Sequence, residues 1–392
     1  MPIIFVHGVA TRRERGGGRP YDRRVAARTA LIRRFLAPAT GLDPEAVRIL
    51  NPYWGDQAAR FRWDGASLDT VAERFGGTAE AEALLAEDAP EEDPPPAART
   101  LLGAARRSPE SAVDLLWSAA ASVESAGAAD FDRLAVWAER AADWAAGTEP
   151  DDLTGLGDDL ALFNLLAARA AGEPAGPERF GGGTGLPLLR EGLNRVQSAG
   201  SRLASRTAAG LVRRRVQEES ATFVGDVLTY LRQRERHGAD GPIAAAVATD
   251  LEAARRACSA DDPHVVVVAH SMGGNIVFDL LSNLRTDLSC DLLVTVGSQV
   301  GLFAELGLLP AVTEPPPGAV TPAHRSPRPK QVGRWINVFD TCDVLSFATE
   351  GIFDGTEDYV YSTGRGLIRS HSAYFLRPSF FRRLAHRLGE PR

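Results

Sequence analysis

The chain has 392 residues, a formal charge of −7, 44% hydrophobic and 24% charged residues, an ordinary globular composition long enough for roughly one to three domains with a sizeable core. That composition excludes a disordered or fibrous chain, and the acidic balance argues against a dedicated nucleic-acid binder. The longest apolar runs, such as Val265–Ala269 and Leu292–Val296, are strand-length, far short of the ~18 residues that a membrane-spanning helix needs.

The N-terminus, Met1-Pro2-Ile3-Ile4-Phe5-Val6-His7-Gly8, is an apolar run stopped by glycine. It lacks the basic start and longer apolar stretch of a secretory signal, so a cytoplasmic protein is expected. Cys258, Cys290 and Cys342 are widely separated, as expected for packed thiols in a reducing compartment. After the loop Thr11–Pro20 an amphipathic stretch runs from Asp22 to Leu36, and Val47–Leu50 reads as a second strand closed by Asn51-Pro52. Strand, helix and strand in this order predict a parallel βαβ unit.

Residues 57–215 differ in character. They are alanine-rich, contain the acidic proline segment Glu87–Pro96, and place apolar residues at helical spacing at Val113, Leu116, Trp117 and again at Phe131, Leu134, Trp137. Further helices are expected at Asp158–Ala170 and Leu193–Val216, with Gly172–Gly185 as a loop between them. The expectation is an inserted helical cap. Its Leu193–Val216 stretch carries Arg195, Arg202, Arg206, Arg213, Arg214 and Arg215 without an acidic residue. Two readings stay open there: a solvated face paired with acids such as Glu87–Asp93, or a surface for peripheral contact with anionic membrane head groups.

Alternation of strand and helix resumes after Ser220. Helices are predicted at Ala221–Arg236 and Ile243–Ala257, then a strand at His264–Ala269, a helix at Gly274–Leu284 and a strand at Leu292–Val296. The proline-rich loop Glu314–Pro329 leads into a strand at Trp335–Phe339, and a last helix covers Pro378–Leu388. Strands alternating with helices at both ends predict one α/β, mostly parallel sheet flanked by helices, with residues 1–56 and 216–392 as the core and 57–215 as the insertion.

The sharpest local signal is His264-Val265-Val266-Val267-Val268-Ala269-His270-Ser271-Met272-Gly273-Gly274, a buried strand running into a serine flanked by small residues and then a helix. A serine on such a tight turn projects its hydroxyl above the sheet, with the next N–H beside a reacting carbonyl oxygen. The segment resembles the nucleophile elbow of the α/β-hydrolase superfamily, and the opening strand ending in His-Gly is similar to the first motif of its lipases and esterases. Ala269 stands where the G-x-S-x-G pattern has its first glycine. The resemblance covers residues 1–56 and 220–388 and leaves the insertion aside. It implies Ser271 as nucleophile and the backbone N–H groups of Val9 and Met272 as the oxyanion hole.

It also implies an acid and a histidine later in the chain. Asp340 and Asp343 both follow the strand Trp335–Phe339; the family's pattern favours Asp343 as the acid, which leaves Asp340 as a turn or cap residue. His371, in Arg369-Ser370-His371-Ser372-Ala373-Tyr374, lies after the acid and before the last helix, similar to the family's His-Ser-x-Tyr ending. His7 reads as a structural loop residue, and His270, as the immediate neighbour of the serine, is expected to point away from it. Gly16–Gly18 and Gly181–Gly183 match neither a P-loop nor a dinucleotide fingerprint, and no metal-ligand spacing is present. No cofactor and no metal are therefore expected.

The resemblance implies a serine hydrolase that cleaves carboxylic esters through an acyl-enzyme, lipase- or phospholipase-like because a large alanine-rich cap suits an apolar acyl group. Its partner would be an ester or lipid substrate and not nucleic acid. The alternatives are a thioesterase or acyltransferase, or a partner-gated effector or protein-binding module on a hydrolase fold.

Overall fold

Apolar runs from both ends of the chain meet in one sheet. The computed structural model describes residues 2–13, 19–39, 43–62, 100–123, 125–171, 186–200, 208–259, 263–316, 324–364 and 370–389, with backbone only at 19, 186, 198–200, 208–216 and 219. β1 (Ile3–Val6) is flanked by β2 (Ile49–Leu50) and β3 (Val266–His270), followed outward by β4 (Cys290–Val296), β6 (Val332–Phe339) and β8 (Thr356–Val360). All six strands are parallel, in the order β2-β1-β3-β4-β6-β8. The short β5 (Ser326–Pro327) and β7 (Phe353–Asp354) form a separate parallel pair.

Parallel strands need crossover connections, and these cover both faces. Side chains alternate between the two faces, as strand geometry requires. Ile3, Phe5, Val266, Val268, Val294, Val296, Ile336 and Val338 enter one core. Ile4, Val6, Val265, Val267, Ala269, Leu293 and Trp335 enter the other. The second core is closed by α7 (Ala208–His237), α8 (Pro242–Ala257), α9 (Met272–Asp279) and α10 (Val300–Glu305). The first is closed by α1 (Arg19–Leu31), which continues as a π-helical turn at Ile32–Leu36, and by α11 (Pro378–Gly389).

The described part of the insertion forms a further helical layer on that first face. It comprises α2 (Thr100–Arg107), α3 (Pro109–Ala121), α4 (Ala128–Ala146), α5 (Asp159–Ala171) and α6 (Leu186–Gly200). α3 starts with proline at its first turn and buries Ala112, Val113, Leu116, Trp117 and Ala120, a stripe with helical spacing. Each large side chain buried there contributes about 1.5–3 kcal/mol. Ion pairs join the layer to the helices beneath it: Arg34 to Glu139, Arg383 to Glu110, and Arg382 to Asp143 at 2.9 Å. Among the described residues, Val113, Leu116, Trp117, Phe131, Leu134 and Trp137 are all buried in this packing.

The expected helix Leu193–Val216 falls on the end of α6 and the start of α7, with residues 201–207 outside the described ones, and α7 runs unbroken through residue 216. Arg202, Arg206 and the side chains of Arg213, Arg214 and Arg215 lie outside the described residues, as do Glu87–Pro96, Gly16–Gly18 and Gly181–Gly183. Arg195 pairs with Glu191 at 3.4 Å. Among the described residues no helix is long and apolar enough to cross a membrane.

Candidate active site

From β1 the chain crosses to β2 on one side, and after the insertion it returns to β3 on the other. Such a reversal of strand order opens a crevice beyond the carboxyl ends of the strands. The segments that follow β1, β3, β4, β6 and β8 meet there, and they carry every residue singled out from the sequence around the serine.

Ser271, between β3 and α9, has φ 54° and ψ −130°, a left-handed conformation rare for a residue with a side chain. It is fully buried. Its N–H donates to Val296 O at 2.9 Å, and its carbonyl accepts from Gly274 N–H at 2.9 Å, so neighbouring strand and helix hold the strained turn. The close approach explains two glycines. A Cβ at Gly8 would lie 2.6 Å from the Ser271 Cβ, and one at Gly273 would lie 2.6 Å from Val6 O. Ala269 needs no such clearance; its methyl is buried in the second core.

The Ser271 hydroxyl donates to His371 Nε2 at 2.8 Å, and His371 Nδ1 donates to Asp343 Oδ2 at 2.9 Å and faces Oδ1 at 3.1 Å. Asp343 Oδ2 also accepts from the Tyr374 hydroxyl at 2.9 Å, and Oδ1 accepts from Leu345 N–H at 3.0 Å. Burial pushes the Asp343 carboxyl up, but the hydrogen bond and charge of His371, the Leu345 N–H and the Tyr374 hydroxyl outweigh it and hold the group below the usual carboxylate value. An ionised carboxylate on Nδ1–H fixes the ring tautomer, which leaves Nε2 free to accept the serine proton.

Asp340 sits elsewhere. Its Oδ1 accepts from Cys342 N–H at 2.9 Å, and its Oδ2 accepts from the Thr363 N–H and hydroxyl, each at 2.7 Å. It shapes the turn that delivers Asp343. The Asp340 N–H donates to the Tyr374 hydroxyl at 2.9 Å, so that one phenol joins both aspartates.

His270 does not simply point away. Its ring lies 4.9 Å from the His371 ring, centroid to centroid, and its Nε2 is 2.7 Å from His371 O. Burial, with the neighbouring His371 charge, holds His270 down at about 3, so it is neutral and donates Nε2–H to that carbonyl. His7 is buried and held down to about 3, by burial first and then by Arg28, Arg12 and Arg13. Trp54 N–H donates to His7 Nε2 at 3.2 Å, His7 Nδ1–H donates to Gly8 O at 2.8 Å, and the two rings stack at 4.6 Å.

Met272 opens α9 directly after Ser271, and Val9 follows the Gly8 that abuts the serine. Ala10 has φ 57°, and its N–H donates to Asp226 Oδ2 at 2.9 Å. Asp226, fully buried on α7, also accepts from Ala59 N–H at 3.0 Å and from Arg12 Nη2 at 2.5 Å. One carboxylate therefore fixes the bend of the Val9 loop.

Asp226 and the His270 contact escape sequence reasoning, since nothing local marks either. Tyr374 was within the quoted stretch but without a role. Among the described residues no group of three or more His, Cys, Asp or Glu side chains is placed to hold a metal ion. No protein-family model, curated protein or solved structure matches the chain; it has a parallel α/β sheet flanked by helices on both faces.

Proposed function

We propose that the chain is a serine hydrolase of the α/β-hydrolase type, acting on carboxylic esters through an acyl-enzyme. The observation that carries this reading is the unbroken hydrogen-bonded series Ser271–His371–Asp343, with the serine on a left-handed turn at the carboxyl edge of a parallel sheet. Ser271 Oγ attacks the ester carbonyl while His371 Nε2 takes its proton; the Val9 and Met272 N–H groups receive the developing oxyanion. Collapse expels the alcohol, which takes the proton from His371. Water, deprotonated by the same ring, then releases the acid and restores the serine. Asp343 keeps Nδ1 protonated and stabilises the imidazolium.

The insertion acts here as a brace. Ser118 on α3 donates to Leu376 O at 2.9 Å, and Asp114 accepts from the Ser379 N–H at 3.1 Å and hydroxyl at 2.7 Å. These bonds hold the segment directly after His371.

A fluorophosphonate probe tests the reading. Wild type is expected to label on Ser271, and Ser271→Ala to lose both labelling and on the order of 10⁴–10⁶-fold of ester turnover. Undiminished turnover in that variant overturns the assignment. The full burial of Ser271 favours one second reading, a site opened by a partner; labelling that appears only after a partner is added would select it.

A further inference from the structure

Among the described residues, two arginines beside the candidate site have no acidic partner. Arg28 on α1 lays its guanidinium over Phe5, with Cζ 3.6 Å from the ring centroid, and its Nη2 donates to Asn51 Oδ1 at 2.7 Å. Its Nε is buried and donates to nothing. Arg13 stacks its guanidinium on two phenols, 5.0 Å from the Tyr21 ring and 4.4 Å from the Tyr53 ring. Among the described residues no carboxylate forms an ion pair with either. Elsewhere the chain pairs half-buried arginines readily, as in Arg12–Asp226, Arg234–Asp279 and Arg334–Glu357. Of the acids beside this group, Asp56 accepts from the Tyr53 hydroxyl at 2.9 Å and Asp22 adjoins Tyr21.

A guanidinium taken out of water without a counter-charge is costly. Burial pushes Arg28 down to about 9, and Arg24 adds to the effect. A bound anion would remove that cost.

Position ties the pair to the serine. Asn51 is the first residue past β2, and Phe5 is in register with Val268 on β3, three residues before Ser271. Charge from Arg28 and Arg13 reaches the buried His7, and charge from Arg28 also reaches His270; these residues precede Gly8 and Ser271. At ~3.3 Å per strand residue, Val268, opposite Phe5, lies about 10 Å along β3 from Ser271.

We infer that Arg28 and Arg13, with Asn51, Tyr21 and Tyr53, form a subsite for an anionic oxygen group, carboxylate or phosphate, carried by the substrate several bonds from the scissile ester. This rests on the ester-hydrolase reading and adds the substrate class: acidic esters. Arginine suits the role because its planar donors meet such groups in pairs.

The test compares mono-p-nitrophenyl adipate, whose free carboxylate sits at the far end of the acyl chain, with the neutral p-nitrophenyl heptanoate and with p-nitrophenyl 4-(phosphonooxy)butyrate. Wild type is expected to favour one or both anionic esters over the neutral one by about 10–100-fold in kcat/KM at low salt, and the better of the two identifies the anion. Arg13→Gln and Arg28→Gln should each bring the anionic-to-neutral ratio down by about tenfold. Arg13 is exposed, so its variant keeps the test open if Arg28→Gln does not fold. Equal kcat/KM for charged and neutral esters, or a ratio untouched by Arg13→Gln, overturns the subsite. A second arm needs no hydrolysis: adipate or inorganic phosphate should raise the melting temperature of Ser271→Ala and should not raise that of Ser271→Ala/Arg13→Gln. A protein that cleaves no ester yet shows this difference has lost the hydrolase reading and kept the anion site; one that cleaves neutral esters without it has done the reverse.

Discussion

The loops that follow β1 and β6 both serve the Ser271–His371–Asp343 series, and each is held by a buried carboxylate, but from different distances. After β6 the holder is local: Asp340 bonds Cys342 two residues on and Thr363 after the next strand, and so presents Asp343 to His371. After β1 the holder is remote: Asp226 comes from α7, 216 residues from the Ala10 N–H that it accepts. The β6 corner thus positions a charged group, whereas the β1 corner positions a backbone N–H. A side chain tolerates small shifts of its turn; a backbone N–H, the oxyanion donor of the proposed reading, has no rotamer with which to correct one.

The largest effect expected from breaking this contrast lies at the β6 corner. Asp343→Asn should lower turnover by roughly 10⁴-fold, because the amide lets the imidazole take the wrong tautomer. Asp340→Asn should cost far less turnover and act mainly on stability; a larger turnover loss at Asp340 than at Asp343 reverses the roles. At the β1 corner, Asp226→Ala should lower kcat by about 10²–10³-fold with KM little changed, as for loss of an oxyanion donor. Asp226→Asn, which can still accept from Ala10, should recover part of it. Equal losses in both variants, or a loss confined to KM, would remove Asp226 from any role in aligning Val9.

The smallest effect is thermodynamic. His7 titrates at about 3 in the fold and near 6.5 in the unfolded chain. Between those values the unfolded state binds the extra proton, so the His7 contribution is intact above pH 6.5 and drains away as pH falls, reaching about 2 kcal/mol at pH 5. Asp114, pushed up to about 6 by burial, works in the opposite sense and gains the fold stability as pH falls through 6. Comparing denaturant midpoints of wild type and His7→Gln at pH 7 and pH 5 isolates the histidine: the wild type should lose more. Parallel losses would mean that His7 is not held neutral.

This contrast also separates what the sequence discloses from what it conceals. β3, β4 and β6 are legible because a strand buried on both faces reads as a near-continuous apolar run, unbroken at Val265–Ala269 and interrupted by Asn337 in β6. β8, Thr356–Val360, went unread because it is a half-buried edge strand containing Glu357 and Asp358, one of which accepts from Arg334 and the other from Asn337. Ser271, Asp343 and His371 were readable from order along the chain and from the turn that each occupies. Asp226 was not: on a helix, one acid among many has no local mark, and its partners arrive only with the tertiary fold. Arg28 has no local mark either, since its lack of a counter-charge among the described residues is a property of its surroundings.

The strand order carries a consequence for how the chain acquires its shape. β3, β4, β6 and β8 come from one stretch and pair in sequence order, whereas β1, made first, pairs with β3 through Ile3 and Val266 across the whole insertion. Closing so long a loop adds little entropy per residue but delays the contact. During synthesis the apolar segment Ile3–Val6 therefore waits, unpaired with β3, until most of the chain has been made. Folding is expected to nucleate in the second half, with β1 sliding in late and bringing the Val9 loop with it. The oxyanion corner would be the last part of the site to assemble, and refolding that outpaces recovery of activity would report that delay.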